Sequence, residues 1–443
     1  MIPTPFITAA ALAARPQIPK QICFTARRLL APVLALTAAS LLPLAEADPV
    51  TEWNEIMQRT VATGNAPFQA RAGAIVQLTV FEAVNAIIGD YEPYVGNIAA
   101  SPDASPEAAA IAASHRVLVA LVPAAATSLN TSRTTSLAAL PDGPAKEAGI
   151  AVGDAAAAAM LQARANDGWA QVNTVPYTPG TNLGDFRPIP PAVATFTGMA
   201  FVTTFGLEEA AQFRPPPPPG LQTGLYARDF EEIRLRGNIN APAGVRSQDR
   251  TNVARFIAAN APTQVWNAAA RQVSVAQGKT LSENARMFAL VNMAMGDAAI
   301  ASFEAKYFYN FWRPQTAIVA GEIDGNPRTN GDVNWRPLIP TPTFPSYPSA
   351  HATLSTAAAT VLDRILGNHG HEITLTSATL GVTLNYTSFR EICDDVDDGR
   401  VYGGIHFRFE QDAGGRHGKD VGHHMLDNYL LPVGGDAQTE DAE

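Results

Sequence analysis

Cysteine is almost absent from this sequence, because Cys23 and Cys393 are the only two among its 443 residues. Cys23 lies in an N-terminal segment that we expect to be removed, which would leave no second thiol to form a disulfide. An exported chain without cross-links must be stabilised by a buried apolar core. About four hundred residues are enough for such a core, in one large helical body or in two domains.

Long apolar runs are also rare. One of them, from Leu29 to Leu44, follows several basic residues and precedes the small-x-small triplet Ala45-Glu46-Ala47. A basic start, a short apolar run and a small-residue end are the pattern of a secretory signal peptide. We therefore predict that residues 1–47 are a signal peptide and that the protein is exported, to the periplasm or the extracellular space. No later segment offers the ~18 uninterrupted apolar residues of a membrane span.

Basic residues are fewer than acidic ones, 31 against 41, which gives a formal net charge of -10. Removal of four basic and one acidic residue with the signal peptide would lower the net charge from -10 to -13. Such a surface disfavours nucleic acids and anionic membranes as partners. A cluster of cations in this chain therefore needs a specific anion to explain it.

Strand-like alternation is scarce as well. Residues 78–81 and 373–375 show it, but both stretches are too short to build a sheet. Capping residues and helical periodicity occur instead, as in Ser105-Pro106-Glu107, which is typical of a helix start. We predict helices over residues 105–121, 144–165, 282–306, 351–366 and 418–430, with the third of them ended by Pro314. The fold class expected from this pattern is all-α.

Proline-rich and loop-forming stretches suggest how the chain is divided. The region from Pro188 to the Pro215–Pro219 run has little helical pattern and reads as a rigid connector. Residues 321–347 form a long loop that leads directly to His351. We predict an N-terminal helical scaffold over residues 48–205, a C-terminal helical catalytic domain over residues 206–433, and a disordered acidic tail over residues 434–443.

Three blocks in the last third of the chain combine cations with histidines. They are Lys306…Arg313-Pro314, then Tyr347-Pro348-Ser349-Ala350-His351, then Arg400…Gly403-Gly404-Ile405-His406. The lysine and two arginines offer about thirteen N–H donors and three positive charges, which suit a tetrahedral oxyanion. Ser349 is the predicted cap of a helix that begins at Ala350, where free backbone N–H groups form an anion seat. The two histidines could serve as a proton donor and as a direct ligand or nucleophile.

These blocks resemble the signature of the superfamily that joins vanadium-dependent haloperoxidases to type 2 phosphatidic acid phosphatases. That signature is a Lys, six residues and Arg-Pro, then Pro-Ser-Gly-His, then Arg, five residues, His, three residues and Asp. Residues 305–314, 344–348 and 402–409 further resemble the soluble bacterial haloperoxidase-like branch. Two positions depart from the pattern, since Ala350 replaces the usual Gly and Glu410 replaces the usual Asp.

The resemblance implies a helical bundle of the vanadium haloperoxidase and acid phosphatase type. It implies that His406 bonds the vanadium of a vanadate cofactor and that His351 is the acid–base catalyst. The residues expected to hold the vanadate oxygens are Lys306, Arg313, Ser349, Ala350 through its backbone, and Arg400. Glu410 would orient His406, and Phe344 would overlook the metal pocket, as in chloroperoxidases. The expected reaction is the oxidation of halide by hydrogen peroxide.

Two other functions remain open at this point. In an acid phosphatase of the same superfamily, His406 would attack a phosphoester to form a phosphohistidine, His351 would protonate the leaving group, and no cofactor would be needed. A non-catalytic phosphate-binding protein would need neither histidine. The haloperoxidase-like motifs and Phe344 favour the first function. The oligomeric state is not indicated by the sequence.

Overall fold

The computed structural model describes residues 48–434. The predicted signal peptide, residues 1–47, lies outside them, and so does the predicted acidic tail apart from Gly434. Within the described range the chain forms thirteen α-helices and one two-stranded hairpin. This content confirms the predicted all-α class.

The helices follow one another along the whole described range. In chain order they are α1 (Pro49–Val61), α2 (Ala66–Ile88), α3 (Pro106–Leu121), α4 (Ala126–Ala138), α5 (Pro144–Ala163), α6 (Gly224–Arg236), α7 (Gln248–Ala259), α8 (Pro262–Ala276), α9 (Leu281–Tyr309), α10 (Pro314–Val319), α11 (Ala350–Leu366), α12 (Phe389–Tyr402) and α13 (Arg408–Asn428). The antiparallel hairpin joins β1 (Ile373–Ser377) to β2 (Val382–Tyr386), with Ile373 opposite Tyr386. Of the two alternating stretches, residues 78–81 lie inside α2 and residues 373–375 lie in β1.

Side-chain caps determine where the predicted helices begin. Ser105 caps α3 by accepting a hydrogen bond from the Ala108 N–H at 3.1 Å. Thr280 and Glu283 form a reciprocal capping box at the start of α9. Both helices therefore begin within one residue of the predicted positions.

The end of α9 and the start of α13 differ from the predictions. α9 ends at Tyr309 because Asn310 adopts a left-handed conformation, with φ 50°, and its N–H bonds to the Lys306 carbonyl. Pro314 does not end this helix but occupies the first turn of α10. α13 begins at Arg408, ten residues before the predicted residue 418. Its glycines at 414, 415 and 418 had obscured the helical pattern, since glycine is a poor helix former.

α9 is the central helix of the core. Its side chains are buried almost continuously from Ala285 to Lys306, and it packs against α2, α11 and α13. α2 is the one described helix that is long and apolar enough to cross a membrane, but 83% of its most apolar window is buried inside the fold. Both halves of the chain thus contribute to one core, and the division at residue 205 stays a prediction.

α11 and α13 lie in backbone contact. A Cβ atom added to Gly414 would lie 2.5 Å from the Ser349 carbonyl oxygen, and one added to Gly418 would collide with the Thr353 carbonyl oxygen. Real Cβ atoms do not approach backbone oxygens so closely, so only glycine fits at these two positions. The close contact places the first turn of α11 directly beside the first turn of α13.

Candidate anion site and active site

The residues predicted to form one site lie together in the structure. They come from four places: the end of α9 and the segment that follows it, the loop before α11 and its first turn, the last turn of α12, and the turn into α13. The residues placed there are Lys306, Arg313, Phe344, Ser349, Ala350, His351, Arg400, His406 and Glu410. The three cations, the two histidines and the helix start thus surround one buried region.

Two hydrogen bonds fix the tautomer of His406. Its Nε2 atom lies 3.2 Å from Nη1 of Arg313, and its Nδ1 atom lies 2.5 Å from Oε2 of Glu410. A guanidinium can only donate, so Nε2 must accept, and the ring proton of the neutral imidazole must be on Nδ1. Burial, followed by the charge of Arg313, holds the pKa of His406 well below its usual range. His406 therefore keeps an Nε2 lone pair on the side of the cations.

Glu410 is fully buried behind His406. Its Oε2 atom also accepts hydrogen bonds from Oγ of Ser346 at 2.8 Å and from the Phe407 N–H at 3.1 Å. Burial raises the pKa of Glu410 to about 7, although Arg313 and Lys306 oppose the rise. The methylene that distinguishes this residue from the usual Asp does not disturb the site, because the carboxylate still reaches Nδ1 of the histidine.

Arg313 is held on both sides by backbone carbonyls. Its Nε atom donates to the Phe344 carbonyl at 2.8 Å, and its Nη1 atom donates to the Ile405 carbonyl at 3.0 Å. Nη2 is buried and has no hydrogen-bond partner among residues 48–434. Burial lowers the pKa of Arg313 to about 10, which leaves the group cationic at neutral pH. The structure therefore holds one N–H group of Arg313 ready for a further acceptor.

Arg400 lies on the last turn of α12 and is 5% exposed. It forms no ion pair with Asp397 or Asp398 within the described part of the chain, and Asp398 pairs instead with Arg408 and Arg250. The buried Nε atom of Arg400 has no acceptor in residues 48–434. Burial lowers its pKa to about 9, with a smaller effect from Arg313. An unpaired buried guanidinium is costly, and a bound anion would remove that cost.

Lys306 holds the loop that precedes α11. Its Nζ atom donates to the carbonyls of Ser346 at 2.7 Å and Pro345 at 3.2 Å, and also to that of Pro348. Burial, followed by the charge of Arg313, lowers the pKa of Lys306 well below its usual range. Three acceptors nevertheless require three N–H donors, which only the ammonium form has. Lys306 thus positions the loop, and its direct bond to an anion oxygen stays a prediction.

Ser349 caps α11, as predicted. Its Oγ atom accepts from the Ala352 N–H at 3.4 Å, and its own N–H donates to the Glu410 carbonyl at 3.0 Å. Ala350 is the first residue of the helix and has ordinary helical backbone angles, so a methyl group is tolerated where the family usually has Gly. The first turn of α11 therefore presents the N–H groups that can bind an anion.

His351 is half-buried on the first turn of α11 and faces a cavity of about 290 Å³. Burial, and then the charges of Arg400, Lys306 and Arg313, hold its pKa well below its usual range. The imidazole is therefore a proton acceptor in the free protein at neutral pH. A bound anion would offset the three positive charges and raise its proton affinity.

The cavity is mainly apolar. Its lining is Asn65, Ala66, Pro67, Phe196, Pro262, Ala299, Phe303, Pro342, Phe344, Ala350, His351, Leu354 and Arg400. The first four of these residues come from the N-terminal part that the sequence had indicated to be scaffold alone. No local motif marks them, because they reach the cavity only through the packing of distant helices.

Phe344 closes the site on the cavity side. Its ring centroid lies 4.9 Å from the guanidinium carbon of Arg313 and 5.5 Å from Nζ of Lys306. It also packs against Phe303, with the two ring centroids 4.8 Å apart. The Phe344 ring thus lies against both cations, and its predicted role over the metal pocket stays a prediction.

The donor set fits a tetrahedral oxyanion such as vanadate or phosphate. Two buried guanidinium groups have nitrogen atoms without acceptors among the described residues, and the start of α11 offers backbone N–H groups. The one lone pair of His406 Nε2 accepts from Arg313, and an anion bonded there would replace that hydrogen bond. The surrounding side chains bring three positive charges and one carboxylate. Such an arrangement can neutralise a multiply charged anion and bond its central atom through a histidine.

The chain is similar to known vanadium-dependent haloperoxidases. Residues 286–434 match a family model described as the VCPO second helical-bundle domain. The vanadium chloroperoxidase of Curvularia inaequalis is 34% identical over 122 residues, a match that covers 23% of this chain and only 19% of that protein. The crystal structure of a bacterial vanadium-dependent iodoperoxidase superimposes with a TM-score of 0.75 at 22% identity, covering 86% of this chain and 96% of that one. An apo-type bacterial vanadium-dependent chloroperoxidase gives 0.68 at 16% identity, covering 82% and 94%. The chain therefore has the fold of the bacterial vanadium-dependent haloperoxidases, and its residues 286–434 match the family model of the VCPO second helical-bundle domain.

Proposed function

We propose that the protein is an exported vanadium-dependent haloperoxidase, which uses hydrogen peroxide to oxidise halide to hypohalous acid. The observation that carries this proposal is His406, which is held as a neutral imidazole with Nε2 beside the Arg313 guanidinium and with the charges of Lys306 and Arg400 nearby. A lone pair in that position can bond the metal of an oxyanion whose charge the cations neutralise. The relatives named above support vanadate as that oxyanion.

The protein residues would bind and polarise the cofactor. Vanadate, when bound, supplies a Lewis-acidic centre that activates peroxide towards halide without a change in its own oxidation state. His406 would hold the metal through Nε2, and Glu410 would keep the proton on Nδ1. Nη2 of Arg313, the guanidinium of Arg400 and the Ala350 N–H would donate to the oxygens. These donors are fixed before the reaction begins, which is how preorganised sites stabilise developing charge.

His351 would move the proton. It lies on the first turn of α11, lines the cavity through which a substrate would enter, and is unprotonated in the free protein. An imidazole nitrogen of His351 would accept a proton from incoming hydrogen peroxide and return it to the leaving oxygen. General acid–base catalysis of this kind contributes typically ~10²–10⁴-fold to a rate.

Assays with and without orthovanadate test the proposal. The purified protein is supplied with hydrogen peroxide, bromide and a brominatable dione, and separately with an aryl phosphate. We expect bromination that requires vanadate and no phosphate release. Hydrolysis of the aryl phosphate that vanadate inhibits would instead identify an acid phosphatase with a phosphohistidine intermediate, and inactivity in both assays would indicate a binding protein.

Replacing Glu410 by glutamine tests how His406 is oriented. The amide removes the negative charge beside Nδ1, so Nε2 becomes a weaker donor to the metal. Changes in such supporting groups typically cost ~10–100-fold in metal affinity, and we expect a loss of that size in the vanadate concentration that gives half-maximal bromination. Glu232→Gln is the matched control, because Glu232 pairs with Arg408 outside the site. Equal vanadate requirements for the two variants would contradict the assigned role of Glu410.

The pKa of His351 should rise when the anion binds. In the free protein, burial and three cations hold it well below its usual range. An opposite charge within a few ångströms typically shifts a pKa by ~1–3 units, so vanadate should raise the pKa of His351 by at least ~1 unit. NMR titration of histidine-labelled protein measures the shift, and His351→Gln assigns the resonance. An unchanged pKa in vanadate-saturated protein would show that His351 is not beside the anion.

A further inference from the structure

Phe196, which lines the cavity, has an unusual backbone conformation. Its φ is 60°, in the left-handed region that side chains with a Cβ rarely occupy. Its N–H donates to Oδ1 of Asn173 at 2.6 Å, and the neighbouring Thr195 pairs with Thr343 both through its N–H, at 3.1 Å, and through its hydroxyl, at 2.9 Å. The hydroxyl of Thr197 donates to the Val175 carbonyl at 2.6 Å. The surrounding contacts thus hold Phe196 in a strained position.

The strained position brings the Phe196 ring onto two other aromatic rings. Its centroid lies 5.3 Å from that of Phe303 and 6.1 Å from that of Phe344, with interplanar angles of 76° and 61°. We call Phe196, Phe303 and Phe344 the aromatic wall. The wall forms one side of the cavity, and the side chains of His351 and Arg400 lie among its other lining residues.

The size and polarity of the cavity restrict what can occupy it. Its volume of about 290 Å³ is near the lower end of the ~300–1,000 Å³ that is typical of small-molecule pockets, so it suits one small ligand. A cationic ligand would be repelled by the nearby Lys306, Arg313 and Arg400. A small anion would bind the unpaired N–H donors rather than the apolar wall. A neutral aromatic ring is the ligand that these exclusions leave, and it can make edge-to-face contacts with the aromatic wall.

We propose that the cavity binds a small neutral aromatic acceptor, of the phenol or indole class, against the aromatic wall beside the anion site. This inference rests on the proposed haloperoxidase function, which supplies hypohalous acid from halide, hydrogen peroxide and a proton, with water as the second product. The ring then attacks the halogen, so that a carbon–halogen bond forms as the oxygen–halogen bond breaks. The ring proton leaves with the released hydroxide as water. Phe196 is the residue that determines specificity for the acceptor.

Binding to vanadate-free protein tests the aromatic wall independently of catalysis. Phenol and cyclohexanol are the two probes, because they have similar size and the same hydroxyl but differ in aromaticity. We expect phenol to bind more tightly than cyclohexanol to the unmodified protein. Phe196→Leu keeps the apolar character and should weaken phenol binding by about tenfold, because the edge-to-face aromatic contact and some buried area are lost. Phe196→Ala should weaken it further.

Phe201→Ala is the matched control, because Phe201 is 70% exposed and does not line this cavity. It should bind phenol as the unmodified protein does. Thermal melting shows whether each variant is folded, and the milder Phe196→Leu keeps the test decisive if Phe196→Ala is unfolded. Equal affinity for phenol and cyclohexanol, or unchanged phenol affinity in folded Phe196→Leu, overturns the proposal.

A bromination assay with phenol distinguishes failure of this inference from failure of the proposed function. With vanadate, bromide and hydrogen peroxide, the ratio of para- to ortho-bromophenol should differ from that given by free hypobromous acid. Phe196→Leu should shift the para-to-ortho ratio towards the ratio given by free hypobromous acid, and it should raise the KM for phenol. If the unmodified protein brominates phenol at the ratio given by free hypobromous acid, the inference is overturned but the proposed haloperoxidase function is not. Phenol binding combined with aryl phosphate hydrolysis and no bromination would overturn both, because the cavity would then hold the aryl group of a phosphoester.

Discussion

Replacing His406 by alanine should abolish vanadate-dependent bromination. The variant loses the imidazole whose Nε2 atom lies beside the Arg313 guanidinium. Hydrogen bonds with Arg313 and Glu410 fix the tautomer of that imidazole. Removing a single oxyanion donor costs ~10²–10³-fold in other enzymes, and loss of the bond to the metal itself should cost at least as much, about 10³-fold or more. The measurement is the rate of dione bromination at saturating vanadate.

The control for this variant is His369→Ala, because His369 is exposed and follows the C-terminal end of α11, the opposite end of that helix from His351. It should retain full activity. Circular dichroism and thermal melting establish that His406→Ala is folded, which is expected because the alanine leaves the backbone of the turn into α13 unchanged. If folded His406→Ala brominates at the normal rate, the bond between Nε2 and the metal does not exist and another residue must hold the cofactor.

Arg400→Met should weaken vanadate binding without lowering the melting temperature. The guanidinium is buried, forms no ion pair among the described residues, and has an Nε atom without an acceptor there. Replacing an unpaired buried charge by an apolar side chain of similar length is often neutral or stabilising. The melting temperature should therefore stay the same or rise. Vanadate affinity should fall by ~10–100-fold, because a charged hydrogen-bond donor to the anion, worth about 1.5–3 kcal/mol, is lost.

Arg408→Met is the matched control for Arg400→Met. Arg408 lies two residues after His406 and pairs with Glu232 at 2.8 Å and Asp398 at 2.9 Å. Its replacement leaves Glu232 without this partner and Asp398 with Arg250 alone, so the melting temperature should fall while vanadate affinity stays close to normal. A fall in the melting temperature of Arg400→Met with no loss of affinity would show that Arg400 stabilises the fold and does not bind the anion.

The anion site could be predicted from the sequence because its residues occur in blocks with fixed spacing. Lys306 and Arg400 each lie in the last turn of a helix, and Arg313 and His406 each follow four residues after that helix ends. The cap at Ser349 could also be predicted from the sequence, because the start of a helix depends on neighbouring residues alone. Local patterns also gave the all-α class and the start of α9.

Other parts of the site depend on contacts between distant segments. Phe196 reaches the cavity because Asn173 holds its backbone N–H and Thr343 holds the neighbouring Thr195, and neither contact leaves a pattern in the sequence. The three carbonyl acceptors of Lys306 lie about forty residues further along the chain. The left-handed turn at Asn310 ended α9 earlier than proline rules suggest, because asparagine tolerates that conformation at a helix end.

The glycine contact between α13 and α11 has a consequence for which anions the protein can select. Gly414 and Gly418 let the main chains of these helices touch, and the Ser349 N–H bonds directly to the Glu410 carbonyl across the contact. The spacing between the imidazole at 406 and the amide groups at the start of α11 is consequently a property of the polypeptide backbone. Substitution of side chains around the anion site can alter the affinity for an oxyanion. Binding an oxyanion of larger radius would require α11 and α13 to move apart.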